Sequence, residues 1–167
     1  IPNAEVEDVR SEEPDILIIA TGGLPDLEQI QEAELCTSSW DAISGNALLG
    51  EKVIIDDGTG RHSAPIVAER VRQAGKSVSY VMVDDVLTKE LSYAERVIWR
   101  KCFAEEGIVP HAERSLRSVE RSGNNLLGDF VHELAGKNLS LEAETMVIEN
   151  GTVPLNEVLD KLLSLAS

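Results

Sequence analysis

Apolar residues follow two rhythms along this chain. In three places they run on without interruption for a strand's length: Asp15–Ala20, Glu51–Asp56 and Thr145–Ile148. Continuous apolarity over so few residues predicts strands buried on both faces, as in a parallel sheet. Between the second and third runs, Ala64, Val67, Ala68 and Val71 recur at helical spacing and give Ser63–Ala74 one apolar face. Pro65 suits that helix's first turn, where its missing N–H is not needed, and Gly75 suits the cap that ends it. Ser77–Val83 reads as the next strand. Strand, glycine turn, helix, glycine cap and strand make a βαβ unit, whose crossover is right-handed.

The remaining segments are shorter. Ser92–Glu106 reads as a helix, with Ser92 and Glu95 at capping-box spacing and Gly107 at its end. Trp40–Gly45 reads as a brief helix. Ile108–His111 reads as another parallel strand, and Asn138–Ala143 as a further short one. Ser115–Glu120 and Phe130–Leu134 flank Ser122-Gly-Asn-Asn125, a hairpin or turn signal. Pro154–Leu165 is predicted helical, with Leu155, Val158, Leu159 and Leu162 on one face. Ile1–Pro14 has little periodicity and reads as a loop or weak strand, and Pro25–Thr37 as an acidic connection. The expected fold is α/β: three layers, a parallel central sheet with helices on both faces, and a small antiparallel β element.

One pattern occurs twice. Ile18-Ile-Ala-Thr-Gly22-Gly-Leu-Pro25 and Val147-Ile-Glu-Asn-Gly151-Thr-Val-Pro154 are each an apolar run, two residues, then Gly-x-x-Pro. Glycine permits the sharp exit from a strand and proline fixes the path beyond it. The repetition suggests two related units ending alike.

Charge narrows the functional classes. Asp and Glu number 30 against 15 Lys and Arg, a formal net charge of −15. Such a surface repels phosphate backbones and anionic membranes, so neither nucleic acid nor membrane is an expected partner. No apolar run reaches bilayer length and no secretory signal is visible, which points to the cytoplasm. Cys36 and Cys102 have no metal or iron–sulfur spacing and read as free thiols. Aromatics make up only 4% of residues, so the core must be aliphatic.

Few residues suggest chemistry. His62, His111 and His132 are isolated, without metal-ligand spacing, and no metal site is expected. Neither cysteine has a neighbouring base in sequence. Ser44 is no nucleophile elbow, because Ala42 stands where that motif has glycine. No catalytic residue is therefore assigned. Trp40 and Trp99 read as core or rim aromatics. The acidic pairs Asp56/Asp57 and Asp84/Asp85 read as solvated loop carboxylates.

The ordered set of motifs carries a family resemblance. Pro14-Asp-Ile-Leu-Ile-Ile-Ala-Thr-Gly-Gly-Leu-Pro25 resembles the "ATG" segment of flavoproteins with two dinucleotide-binding domains. Glu51–Gly60, the helix after it, and Thr145–Pro154 follow in the same order. Together they resemble the C-terminal region of the trimethylamine dehydrogenase, 2,4-dienoyl-CoA reductase and N-methylproline demethylase family. The Asp56-Asp57-Gly58-Thr59-Gly60 turn looks closest to the amine-demethylating branch. The resemblance implies a Rossmann-like fold. It also implies a barrel with FMN and a 4Fe–4S cluster, carried by sequence outside this chain. In domain terms it implies that residues 1–35 are the tail of a first, FAD/ADP-binding-like domain. Residues 36–150 are then an inserted NAD(P)-binding-like domain, and 151–167 a return segment. The expected partner is the rest of a parent enzyme, with a second copy of the chain as a further candidate.

The candidate cofactor-binding turn comprises Gly58, Thr59, Gly60, Arg61 and Ser63. Glycines let backbone N–H groups approach a pyrophosphate at a helix N-terminus. Here the third glycine position holds Ser63, and Arg61 or His62 lies nearby. The acidic ribose-binding position falls on Met82 or, with a shift of register, on Asp84. Asp56 and Asp57 set two negative charges beside the phosphate position. NAD(P) or ADP binding and a vestigial scaffold are both open on the sequence. Three classes remain: a non-catalytic domain of a flavin oxidoreductase, a self-sufficient NAD(P)-binding module, and a protein-interaction domain.

Overall fold

The computed structural model describes residues 5–27 and 30–165. The chain divides into two compact units, residues up to Leu24 with those from Thr152 onward, and Pro25–Gly151.

The larger unit is built on a four-stranded parallel sheet. Its strands are β2 (Thr37–Ser38), β3 (Lys52–Asp57), β4 (Ser77–Met82) and β8 (Thr145–Glu149), in the order β2-β8-β3-β4. β3 pairs in parallel with β4 from Lys52↔Ser77 to Asp57↔Met82, and with β8 from Val53↔Thr145 to Asp57↔Glu149. Being central, β3 is buried from Val53 to Asp57. Alternation along β3 divides its side chains between two cores. Val53 and Ile55 join Ala64, Val67, Ala68, Val71, Tyr80, Phe103 and Val147 on the helical side. Ile54 joins Val81, Met146 and Ile148 on the other side.

The helical layer holds α2 (Ser39–Ser44), α3 (Ser63–Gln73) and α4 (Tyr93–Glu106). The expected ends of α2 at Gly45 and of α4 at Gly107 are present, and Ser38 is a start signal not named from the sequence. Ser38 caps α2, and Gly45 leaves it in the left-handed conformation. The predicted apolar face of α3 is the buried one. Ser92 and Glu95 form a complete capping box on α4, and Gly107 ends that helix at φ 68°. Phe103 from α4 meets Tyr80 edge-on, with ring centroids 4.9 Å apart.

The second face of the sheet departs from expectation. It is covered not by helices but by an antiparallel sheet of β5 (Arg114–Ser122), β6 (Asn125–His132) and β7 (Asn138–Ala143). Val119, Leu126, Phe130 and Ala143 from these strands pack on Ile54, Met146 and Ile148. An alternating strand with one apolar face can cover a sheet as well as a helix can. The small antiparallel element thus supplies the whole third layer. Gly128 admits the close approach: a Cβ there would lie 3.1 Å from the Phe130 ring and 3.3 Å from Met146 Sδ.

Ile108–His111 does not form the expected strand. Only His111 bridges, in parallel, to Val81. Pro110 has no N–H to extend the ladder.

The smaller unit overturns two expectations. Asp15–Ala20 is no buried strand; it joins no ladder, and Ile16 and Ile18 are 82% and 86% exposed. A strand is made by partners as well as by apolar side chains, and the run has no partner among the described strands. Within the segment read as loop or weak strand lies α1 (Val6–Ser11), started by a reciprocal Glu5–Asp8 capping box. Residues 1–4 of that segment lie outside the described residues. α5 (Glu157–Leu165) is helical as expected. The sequence echo has a structural counterpart: after Gly22 (φ 76°) and Gly151 (φ 85°), β1 (Gly23–Pro25) and β9 (Thr152–Pro154) pair with each other. The acidic connection that follows β1 contains a 3-10 turn at Ala33–Leu35; its residues 28 and 29 lie outside the described residues.

Candidate functional site

In a parallel sheet the strand ends and the turn after the first strand face the place where ligands bind. Here that place is the end of β3, with the ends of β4 and β8 beside it. Asp56 and Asp57, adjacent on an extended strand, point to opposite faces. Both were read as solvated; both are buried, at 7% and 1% exposure.

Asp57 turns toward the helices and occupies the glycine turn itself. Its Oδ1 accepts hydrogen bonds from the backbone N–H of Thr59 (3.1 Å) and of Gly60 (2.9 Å) and from the Thr59 hydroxyl (3.3 Å). Tyr80 donates its hydroxyl to Oδ2 at 2.6 Å. Gly58 N–H donates elsewhere, to the Glu149 carbonyl at 2.9 Å. Burial raises the Asp57 pKa above the ordinary carboxylate value, and these hydrogen bonds pull against it. Burial and Asp57 together hold the Tyr80 hydroxyl protonated, so it remains a donor.

The N–H groups of Gly58, Thr59 and Gly60, which a pyrophosphate would use, are therefore satisfied from within the chain. Pro65, the third residue of α3, adds no N–H at that helix end. A Cβ on Gly58 would lie 2.3 Å from Asn150 Oδ1, and one on Gly60 would lie 2.6 Å from Asp84 Oδ2. The glycines make room for the protein's own side chains.

The structure brings Gly58, Thr59, Gly60 and Asp84 together. Arg61 is exposed, and Ser63 opens α3. Of the two candidate ribose partners, Met82 is buried in the helical-side core. Asp84 Oδ1 is paired with Lys89 Nζ at 3.3 Å, and Lys89 also pairs with Asp85 at 3.3 Å. Beyond the turn, Trp99 Nε1 donates to His62 Nδ1 at 3.1 Å. His62 Nε2 then carries the proton and meets Glu95 Oε1 at 3.2 Å. This relay ties the loop to α4, with Trp99 at the rim.

Asp56 faces the antiparallel sheet. Burial first, and the Asp57 charge second, push its pKa up to about 7. Burial likewise pushes the Cys36 thiol up to about 11, with Asp56 contributing, so this half-buried thiol is not an activated nucleophile. Cys36 and Cys102 are both free. Among the described residues, no group of three or more His, Cys, Asp or Glu side chains is arranged to hold a metal ion. No helix of the described residues is long and apolar enough to cross a membrane.

Sequence reasoning placed the turn but missed its occupant. The signal was available: Asp followed by Gly-Thr-Gly is the pattern of an Asx turn, in which the side chain bonds backbone two residues on.

No family model matches the chain. Two relatives do. The chain is 34% identical over 165 residues to a "Probable N-methylproline demethylase" of Rhizobium meliloti (strain 1021), covering 98% of this chain and 24% of the relative. It is 33% identical over 159 residues to a multifunctional alkene reductase/demethylase of Caballeronia cordobensis, covering 94% and 24%. The chain thus spans about a quarter of the length of these relatives. Among solved structures, 6-hydroxypseudooxynicotine amine oxidase from Pseudomonas geniculata N1 superposes with a TM-score of 0.82 at 22% identity, over 97% of this chain and 25% of that one. The thioredoxin reductase of T. acidophilum superposes with a TM-score of 0.65 at 13% identity, over 84% and 45%. The fold is Rossmann-like.

Proposed function

Starting from a chain that is similar to flavin oxidoreductases of the demethylase and alkene reductase type over nearly all its length, we propose that it is the nucleotide-binding-like domain of such an enzyme, retained as a scaffold. The parent reaction is an oxidation or reduction on an amine or alkene substrate, with FMN and an iron–sulfur cluster held outside this chain. The chain itself holds no reacting group. Residues 36–150 form the inserted domain, and 1–35 with 151–167 belong to the neighbouring one. The pairing of β1 with β9 and the division near Thr152 support the return segment, while the division near Leu24 groups Pro25–Leu35 with the inserted unit.

One observation carries the scaffold reading. The Asp57 carboxylate sits where a dinucleotide phosphate would need the N–H groups of Thr59 and Gly60. A phosphate there would have to displace a buried carboxylate and share its surroundings with Asp56. Like charges at such a site oppose each other strongly. The residues present do not fit a pyrophosphate.

Isothermal calorimetry on the 167-residue chain with NADH, NADPH and ADP tests this. The expected result is no binding heat at millimolar nucleotide. Low-micromolar binding that disappears when Gly60 is replaced by Val would establish the stand-alone dinucleotide module instead.

A further inference from the structure

Beneath β5, beside Gly58, lies an open cavity of about 400 Å³ lined wholly by residues of the Pro25–Gly151 unit. It sits at the C-terminal ends of β3, β4 and β8, roofed by β5. Asp56, Val83, Ile30, Leu116, Arg114 and Arg117 line it, with Asp26, itself engaged, as a second carboxylate. The Asp56 backbone is engaged by β4 on one side and β8 on the other, so what Asp56 presents to the cavity is its carboxyl.

That carboxyl is unusual in having no partner. It is 93% buried by its 7% exposure, yet among the described residues no hydrogen bond or ion pair reaches it. Asp57, its neighbour, has four. Buried polar groups are ordinarily paired, and one left open toward a cavity is waiting for a donor. At the mouth, Arg117 is exposed and likewise without an ion pair or hydrogen bond among the described residues. Arg114 spends one guanidinium nitrogen on the Lys137 carbonyl at 3.3 Å. Ile30, Val83 and Leu116 supply apolar lining.

A buried acid, arginines and apolar lining in one cavity are complementary to a small zwitterion with a short hydrocarbon tail. We propose that this cavity binds an aliphatic amino acid, its ammonium group on Asp56 and its carboxylate on Arg114 or Arg117. An isolated cation would leave the arginines unanswered, and an isolated anion would meet the Asp56 carboxylate. The inference does not use the Asp57-filled part of the glycine turn, of which only Gly58 borders the cavity.

The test is an NMR titration of the ¹⁵N-labelled chain at pH 8 with three probes: L-leucine, isopentylamine and 4-methylpentanoate. L-Leucine is expected to move the amide signals of Val83 and Leu116, with at least tenfold tighter binding than either half-molecule. Asp56→Asn should weaken L-leucine and isopentylamine but not 4-methylpentanoate. The combined Arg114→Ala and Arg117→Ala variant should weaken L-leucine and 4-methylpentanoate but not isopentylamine. Silence of Val83 and Leu116 toward L-leucine in the unmodified chain would overturn the proposal, as would equal binding of all three probes. The three-probe comparison needs no variant, so it stands whether or not a substituted chain folds.

Discussion

Two adjacent aspartates carry most of the chemistry of this domain, and their difference follows from strand geometry alone. Asp57 faces a turn full of donors and takes four of them; Asp56 faces the cavity beneath β5 and takes none among the described residues. The sequence showed the pair but not its division, because which face a strand residue takes depends on where the partners lie. Asp56 leads to a pH-dependent stability. Its pKa is about 7 in the folded protein against an ordinary 3.8. A carboxyl raised in this way binds its proton more tightly when folded. Its favourable contribution is therefore complete below about pH 4 and is lost as pH rises through 7. The shift corresponds to roughly 4 kcal/mol between those limits. Asp56→Asn, neutral at every pH, should remove that loss. Urea unfolding at pH 5 and pH 8 is expected to show the variant gaining stability relative to the parent at pH 8, and roughly a third of that gain at pH 5. Equal gains at both pH values would mean that Asp56 is solvated.

At the scale of elements, most of the larger unit was legible. β3, α3, β4, α4, β5, β7 and β8 lie where periodicity and caps placed them, while β6 starts at Asn125, five residues before the expected Phe130–Leu134. Their signals are local: an apolar stripe on α3, a glycine turn after it, a Ser–Glu box on α4. The failures share a cause. Asp15–Ala20 and Ile108–His111 had strand-like side chains, but strand formation depends on partners elsewhere in the chain, and for the second also on the N–H that Pro110 lacks. The covering of the second face by β5, β6 and β7 was likewise invisible locally, since their alternation does not say which surface they cover. The capping box makes a direct test of a local signal. Ser92 accepts from the Glu95 N–H, and the Glu95 side chain accepts in return from Ser92. Ser92→Ala removes the hydroxyl end of this exchange and should cost about 1 kcal/mol of stability. Chemical denaturation would detect this as a lowered midpoint at unchanged slope. A loss below a tenth of that size would show that α4 is held by Phe103 and its neighbours alone.

Across the whole molecule, the two hydrophobic clusters determine what can fold by itself. Every buried residue of both lies between Ala42 and Ile148. The parallel sheet, its helical layer and its antiparallel cover all belong to Pro25–Gly151. The smaller unit contributes α1, α5 and a two-stranded pairing. Of its described residues only Val6 is buried, while Ile16 and Ile18 are largely exposed. Apolar burial is the main favourable term in folding, at about 25 cal/mol per Å². The energy that holds the parallel sheet together therefore comes from one continuous stretch of sequence. A chain reduced to Pro25–Gly151 should fold cooperatively and melt within about 5 °C of the parent, a shift equivalent to roughly 1 to 2 kcal/mol. The segments removed include the exposed apolar run Ile16-Leu-Ile-Ile19, a surface suited to pairing with another chain. The reduced chain is therefore also expected to stay monomeric at concentrations where the parent self-associates. Circular dichroism melts and sedimentation of the two chains side by side give both readings. A reduced chain that melts broadly or at far lower temperature would show that the smaller unit supplies stability beyond its own few buried groups.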